Sequence, residues 1–410
     1  MSDPARTLAG LPVWDGTAAR GVATVTWSAG RIDDVTASEA SVLADEYSVI
    51  PGLIDTHVHL DSSAGSAPTD WATWPIITPA AEKSLHVVAH AAAAARAGVT
   101  TLRDLAGSEV QLAAARGLDD RLVPGPRLRV YGTVGMTAGH GDLFTPPHYP
   151  HRAPTADSPD ECRKLVRQWA RQGVHGIKIH LSGGVLSMGD GVGWRNQTDA
   201  EIATTIDEAH ALGMLVAAHT HSVEGVDRAL AHGVDSIEHG TGILERHWAE
   251  LAERRIPVAP TLLINDRIAA REIPVTDEAA DKAKGVVAER DERFVGAARA
   301  GVRFVLGTDA NGVMVRFGDQ HEELRHMQAL FGWTAEQAMI AATSDAADAI
   351  GMPSLGRIAR GAEADLVVVK GRPWERLEDL TSDSIVAVVS RGETIFGALP
   401  ELTPTQGASK

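Results

Sequence analysis

Cysteine is nearly absent from this 410-residue chain. Cys162 is the only one, so neither an intrachain disulfide nor a cysteine-rich zinc site can form. Long apolar runs are missing as well: none reaches the roughly 18 residues that a membrane-spanning helix needs. The opening residues, Met1-Ser2-Asp3-Pro4-Ala5-Arg6, have neither the basic nor the apolar region of a secretory signal. Basic charge is scarce and scattered. The 38 Lys and Arg stand against 54 Asp and Glu, a formal net charge of −16, and no Lys/Arg block offers a hold on nucleic-acid phosphates or an anionic membrane. These absences lead us to expect a soluble, cytoplasmic protein with no nucleic-acid or membrane partner. The apolar share of 44% and charged share of 22% exclude disorder for the bulk of the chain. Histidine is the abundant type, with 17 residues, and several of them stand at the ends of apolar runs.

The first fifty residues have the texture of short strands. Val22 to Trp27 alternates apolar with polar, Ala29-Gly30 turns, and Ile32 to Thr36 continues. A similar texture returns at Ala364–Val369 and Ile385–Val389. We therefore expect a small β-sandwich domain built from both termini, residues 1–52 and 353–410. Two independent caps on the central domain are the alternative. Between them, residues 53–352 alternate short apolar runs with amphipathic helices. Eight candidate strands stand out: Leu53–Leu60, Thr100–Asp104, Leu128–Gly132, Gly176–His180, Leu215–His219, Ser236–His239, Val258–Leu262 and Arg303–Gly307. Helix starts are marked by Ser158-Pro159-Asp160-Glu161, Thr198-Asp199-Ala200-Glu201 and Thr334-Ala335-Glu336-Gln337. Gly173, Gly213, Gly233 and Gly301 sit where C-cap glycines belong. Eight βα units predict an α/β fold, a (β/α)8 TIM barrel. An open doubly wound sheet would want a glycine-rich phosphate loop after the first strand, and none follows Leu60.

In such a barrel the chemistry sits at the C-terminal ends of the strands. The candidate strands end in or carry His57-Val58-His59, Lys178, His219-Thr220-His221, Glu238-His239-Gly240 and Thr308-Asp309. His57 and His59 are two apart on a strand and so face the same way, a natural pair of imidazole ligands for zinc or a similar ion. Lys178 lies between Ile177 and Ile179 in a strand expected to be buried. A buried ammonium either finds a carboxylate or loses its proton. The first outcome is an ion pair across the barrel. The second leaves an amine able to take up carbon dioxide as a carbamate, an anion that can bridge two metals. Asp309 can bind a metal and accept the proton of a bound water, or it can cap the following helix.

Taken together these residues resemble the metal-dependent amidohydrolase superfamily, over nearly the whole chain from Val13-Trp14-Asp15-Gly16 to Leu355-Gly356-Arg357-Ile358 and Ala364–Val368. The stretches Ile177-Lys178-Ile179, Ser182-Gly183-Gly184, Ala218–Ser222 and Asp235–Gly240 resemble its imidazolonepropionase-like branch, which includes Xaa-Pro and Xaa-Arg dipeptidases and ochratoxin-cleaving amidases. The resemblance implies two divalent ions, zinc foremost, and assigns the ligands residue by residue. His57, His59 and Asp309 would hold the more buried ion, His219 and His239 the second, and N6-carboxylated Lys178 would bridge. It also implies that Asp309 is the catalytic proton carrier. The loop Thr137-Ala138-Gly139-His140-Gly141-Asp142 resembles a Gly-His-Gly loop of the branch, with Ala138 where many relatives carry glycine. It makes His140 a candidate for the substrate carbonyl or carboxylate, and His221 is a second candidate substrate contact. Arg103-Asp104 reads as an ion pair supporting the rim.

The activity implied is hydrolysis of an amide or peptide bond in a dipeptide, N-acyl amino acid or modified peptide by metal-activated hydroxide. A mononuclear deaminase or cyclic-amide hydrolase is a competing expectation that Lys178 argues against. A dedicated biosynthetic peptide amidase and a non-catalytic barrel scaffold are two more. Specificity is expected from loops Ser62–Pro79, Thr137–Pro154 and Ser187–Gln197, where Trp71 and Trp74 can cover an apolar side chain and Arg195 can pair with a carboxylate. The expected partner is a small molecule or short peptide, and the chain is expected to form a homo-oligomer. His86, His90, His210, His232, His247 and His326 fall in helical stretches and are assigned no chemistry.

Overall fold

The computed structural model describes residues 5–65 and 70–400. The outermost parts of the two expected terminal segments, 1–4 and 401–410, and residues 66–69 of the first expected loop lie outside the described residues. Seven strands form a sheet from the two ends of the chain: β1 (Arg6–Trp14), β2 (Ala19–Ser28), β3 (Arg31–Ala37), β4 (Tyr47–Pro51), and, much later, β12 (Leu366–Lys370), β13 (Ile385–Ser390) and β14 (Glu393–Gly397). Their order is β14-β13-β12-β4-β1-β2-β3, antiparallel except for β1 beside β4. Ala29 and Gly30 both have positive φ, 46° and 80°, as a two-residue turn matched to strand twist requires. Period-two alternation divides the sheet's side chains between two cores. Leu366 and Val368 join Leu8, Leu11, Val25 and Trp27 in a core of the terminal domain's own. Val367 and Val369 pack instead with Trp14 and Ile50 into the barrel's core.

The chain changes sheets at Gly52, between Pro51 and Leu53. A side chain there would meet the Thr100 Oγ1 at 2.1 Å, so glycine is what lets the terminal sheet run into the barrel. The barrel strands follow in sequence order and all run parallel: β5 (Leu53–Val58), β6 (Val99–Gly107), β7 (Arg127–Val134), β8 (Gly176–His180), β9 (Leu215–Thr220), β10 (Ser236–His239) and β11 (Val258–Ala259). Residues 303–310 close the ring. Val305 N donates to Val258 O at 3.0 Å on one side, and Thr56 N donates to Leu306 O at 2.9 Å on the other. The expected strand Val258–Leu262 is cut to two residues. Pro260 has no N–H for the ladder, Thr261 turns left-handed, and a helix begins at Leu262. The helix starts appear as expected. Ser158 caps Glu161 N, and Thr198 and Thr334 form capping boxes with Glu201 and Gln337. Gly173 and Gly233 close their helices in the left-handed conformation. No helix among the described residues is long and apolar enough to cross a membrane.

Candidate metal centre at the C-terminal rim of the barrel

Alternation along a strand places residues two apart on one face. It brings His57 with His59 at the end of β5, and His219 with His221 at the end of β9, over the mouth of the barrel. Two further groups arrive by breaking that rule. His239, the last residue of β10, has φ 66°, and Asp309 has φ 56°. Left-handed backbone at a non-glycine residue costs about 1–3 kcal/mol and persists only where its surroundings enforce it. At His239 its effect is direct. Glu238 and His239 are consecutive, yet both are buried inside the barrel.

The result is a contiguous bed of imidazoles. His57 lies with ring centroids 5.2 Å from His59 and 5.0 Å from His239, and His239 is 4.7 Å from His219. Asp309 Oδ1 stands 3.1 Å from His59 Nε2 and 3.5 Å from His57 Nε2. Two sets of ligand atoms fall within 4.8 Å of one another: those of His57, His239 and Asp309, and those of His219, His221 and His239. Burial keeps these rings neutral. It pulls His57 down to about 4 and His221 to about 3, and takes His219 and His239 well below the usual histidine value. Burial opposes ionisation of Asp309, but His57 and His59 hold it below the ordinary carboxylate value. Neutral imidazole nitrogens and one carboxylate are the donor set of zinc and similar divalent ions, so these residues fit such ions.

Lys178 is 2% exposed. Among the described residues no carboxylate lies within 4.0 Å of its Nζ, so the ion pair across the barrel is not formed. Burial brings its pKa down to about 8, with Glu238 and Asp309 pulling the other way. The carboxylate nearest in role, Glu238, is engaged elsewhere. Its Oε1 accepts from Arg103 at 2.7 Å and from Ser236 Oγ at 2.6 Å, and Oε2 lies 2.9 Å from His57 Nδ1. Burial would raise Glu238, yet Arg103 and His57 hold it well below the carboxylate range. Arg103 thus supports the site through Glu238 and not through Asp104. Asp104 instead accepts from Leu60 N at 2.8 Å and Ala106 N at 2.9 Å, pinning the turn after β5.

His140 reaches the centre from its loop and stacks on His219 at 4.2 Å. Its Nδ1 lies 3.0 Å from Ser187 Oγ, and Ser187 is tied to Asp190 and, through Asp190 Oδ1, to Lys282 at 2.8 Å. Ala138 sits in the left-handed region at φ 58°, where glycine would sit without strain. Trp71 meets Phe144 edge-on at 6.1 Å, and Phe144 meets His140 at 5.3 Å, an aromatic wall at the mouth. Trp74 is buried against His86 instead. Arg195 is not brought to the imidazoles. Its backbone bridges Ser182, and its side chain is exposed.

Sequence reasoning left four contributors without a role. His180 is buried beside His140 and His219, at 5.0 and 5.6 Å. Its signal was its place two residues after Lys178 on one strand face. Glu238 had none beyond preceding His239. Thr241 and Thr261, which hold His221 Nδ1 at 3.0 Å and His239 Nδ1 at 2.7 Å, had none at all.

Comparison with known proteins agrees with this geometry. The amidohydrolase family description matches residues 48–395. Ochratoxinase of Aspergillus niger is 29% identical over 373 residues, covering 85% of this chain and 75% of that one. A crystal structure of a prolidase complexed with N-methylphosphonate-L-proline superposes with a TM-score of 0.86 at 28% identity, over 95% of this chain and 99% of that one. A Xaa-Pro dipeptidase with methionine bound in its active site gives 0.84 at 28% identity, with the same coverage.

Proposed function

Because the chain belongs to the amidohydrolase family and is a hydrolase of amide bonds, we propose that it cleaves a dipeptide or N-acyl amino acid at a centre of two divalent ions. The observation that carries this reading is the adjacency of two candidate ligand groups, sharing His239 and one of them holding Asp309, to a buried lysine with no carboxylate within 4.0 Å among the described residues. His57, His59 and Asp309 would hold one ion and His219 and His239 the other, with carboxylated Lys178 between them. Zinc is the metal we assign. When bound, such ions supply Lewis acidity toward a carbonyl oxygen and a water of lowered pKa.

The chain's own groups supply the rest. Asp309, ionised and on the rim, accepts the proton of the attacking water and returns it to the leaving nitrogen as the C–N bond breaks. Glu238, itself held by Arg103, sets a carboxylate oxygen 2.9 Å behind the His57 ring and so favours that ring's orientation. His140, fixed by Ser187, presents its other nitrogen to the substrate carbonyl or carboxylate. The Trp71–Phe144 wall supports a substrate with an apolar side chain. Arg195, exposed at the mouth, is available to a carboxylate arriving from solvent. The similar structures of a prolidase and a Xaa-Pro dipeptidase support peptides as the substrate class.

Two measurements test this. Protein expressed with added zinc should contain about two metals per chain, and a panel of dipeptides and N-acyl amino acids should include one that is hydrolysed and protected by chelator. Asp309→Asn should lower kcat by about 10²–10⁴-fold, the usual contribution of an acid–base group, with the fold intact. Near-normal turnover in that variant would move the proton-carrying role to another residue.

A further inference from the structure

A chain of contacts leads from a surface helix to the ring of His140. On the helix Asp277–Val287, Glu278 and Lys282 are one turn apart, and together they hold the loop that follows β8. Lys282 Nζ donates to Ser187 O at 2.6 Å and pairs with Asp190 Oδ1 and Glu278 Oε1, both at 2.8 Å. Glu278 Oε1 in turn accepts from Gly189 N at 3.0 Å. Asp190 turns both its oxygens on Ser187, whose hydroxyl donates to them across 2.9 and 2.8 Å. Ser187 Oγ then stands 3.0 Å from His140 Nδ1. Ser187 and Asp190 are 1% and 6% exposed. A buried ion pair adds little net stability, because desolvation offsets its attraction. What this pair does supply is one fixed place for the Ser187 hydroxyl. The opposite side of the ring is shaped for it as well. Gly184 is not in left-handed backbone, so it is space and not φ that requires glycine there. A Cβ would lie 2.0 Å from His140 Cε1 and 2.2 Å from Nδ1, and its three nearest atoms would all belong to that ring. The imidazole thus fills the room a side chain at 184 would take, with its face on His219.

We infer that Lys282 and Asp190 are positioning residues: acting through Ser187, they hold the His140 ring at the place where it meets the substrate. The inference rests on the reading of His140 as a substrate contact and adds the residues that set its position. Its source lies far from the rim in sequence, on a helix that follows the seventh barrel strand.

The test has two readouts, and the first needs neither metal nor substrate. In metal-free protein, proton–nitrogen NMR correlation spectra of the histidine rings identify His140 by the signals missing from His140→Ala. Lys282→Met should shift those signals as Ser187→Ala does, and Lys282→Arg, which keeps the charge, should return them toward the parent's. Asp190→Asn keeps the shape of its side chain and should shift them too, and it decides the matter if Lys282→Met does not fold. His140 signals unmoved in both Lys282→Met and Asp190→Asn would overturn the inference. The second readout is a double-mutant cycle on hydrolysis of a dipeptide from the panel, at the parent's metal content. Lys282→Met should lower kcat/KM by up to about 10²-fold, the scale of a misplacement of about 1 Å. In a His140→Ala background it should lower it no further. An equal loss with His140 present or absent would make Lys282 merely structural and overturn the inference. If His140→Ala turns over like the parent, the substrate contact fails and the inference with it. If no member of the panel is cleaved, the reading of dipeptides and N-acyl amino acids as substrates fails, and the spectra alone decide whether Lys282 and Asp190 set the ring.

Discussion

Lys178 shows how one buried group constrains a whole site. Between Ile177 and Ile179 it is almost wholly out of solvent and, among the described residues, has no carboxylate within ion-pair distance. A cation there is costly, and burial brings the amine's pKa down to about 8, so the neutral form required for carbamate formation is accessible near neutral pH. We therefore expect metal uptake by the metal-free protein to rise with dissolved carbon dioxide. Lys178→Ala should lose the paired ions and regain part of them when a short carboxylic acid is added to fill the space. Lys178→Arg should not be rescued, because a guanidinium stays cationic and forms no carbamate. Elemental analysis with and without bicarbonate reads all three. Uptake indifferent to carbon dioxide would point to a hydroxide or Asp309 as the bridge.

At the scale of elements, the centre depends on how strand ends are turned. Thr261, at φ 47°, is a β-branched residue in left-handed backbone directly before the helix Leu262–Ala269. What holds it there is Glu323, from the helix Gln320–Phe331, whose two oxygens accept from Leu262 N at 2.7 Å and Leu263 N at 2.9 Å. Glu323 thereby sets Thr261 behind His239. Burial pushes the Glu323 carboxyl up to about 8 against the pull of those N–H groups. The folded chain thus keeps a proton that the unfolded chain releases above about pH 4.5. By linkage this contribution lowers stability progressively as pH rises from there to about 8, and it is constant beyond. Glu323→Gln should flatten that stretch of the stability curve. Urea melts of parent and variant across it provide the check, and parallel curves would assign the titration elsewhere.

For the molecule as a whole, the two sheets are joined on the side of the barrel away from the metal centre. Arg127, at the start of β7, bonds Asp365 and donates to Glu363 at 2.8 Å, while Asp365 also accepts from Arg391 N at 2.7 Å. Arg127 and Asp365 are 5% and 2% exposed, so removing Arg127 leaves Asp365 a buried charge that keeps only the Arg391 N–H. Loss of one partner in such a pair typically costs about 3–5 kcal/mol. Arg127→Ala should lower the urea midpoint by a corresponding amount while the folded fraction keeps the parent's metal content. Loss of metal in step with stability would mean that the terminal sheet shapes the rim as well as the base.

Much of this architecture is written locally. Apolar runs, capping residues and punctuating glycines are short-range signals, so seven barrel strands, four of the seven terminal strands and the helix starts at Ser158, Thr198 and Thr334 could be read from the chain. Period-two spacing likewise paired His57 with His59 and His219 with His221, because alternation is a property of the strand itself. Other features needed the fold. Nothing in the order Glu238-His239 signals that both side chains turn inward, since the left-handed backbone at His239 is imposed by packing and is not favoured by its residue type. The contacts of Arg103 with Glu238, Thr261 with His239 and Glu323 with Leu262 join residues far apart in sequence, and only closure of the barrel brings them together. The residue types available for the chemistry were determined by sequence alone. Which of them meet, and in which orientation, was decided by tertiary structure, because the strain and burial that hold them there are sustained by the whole barrel.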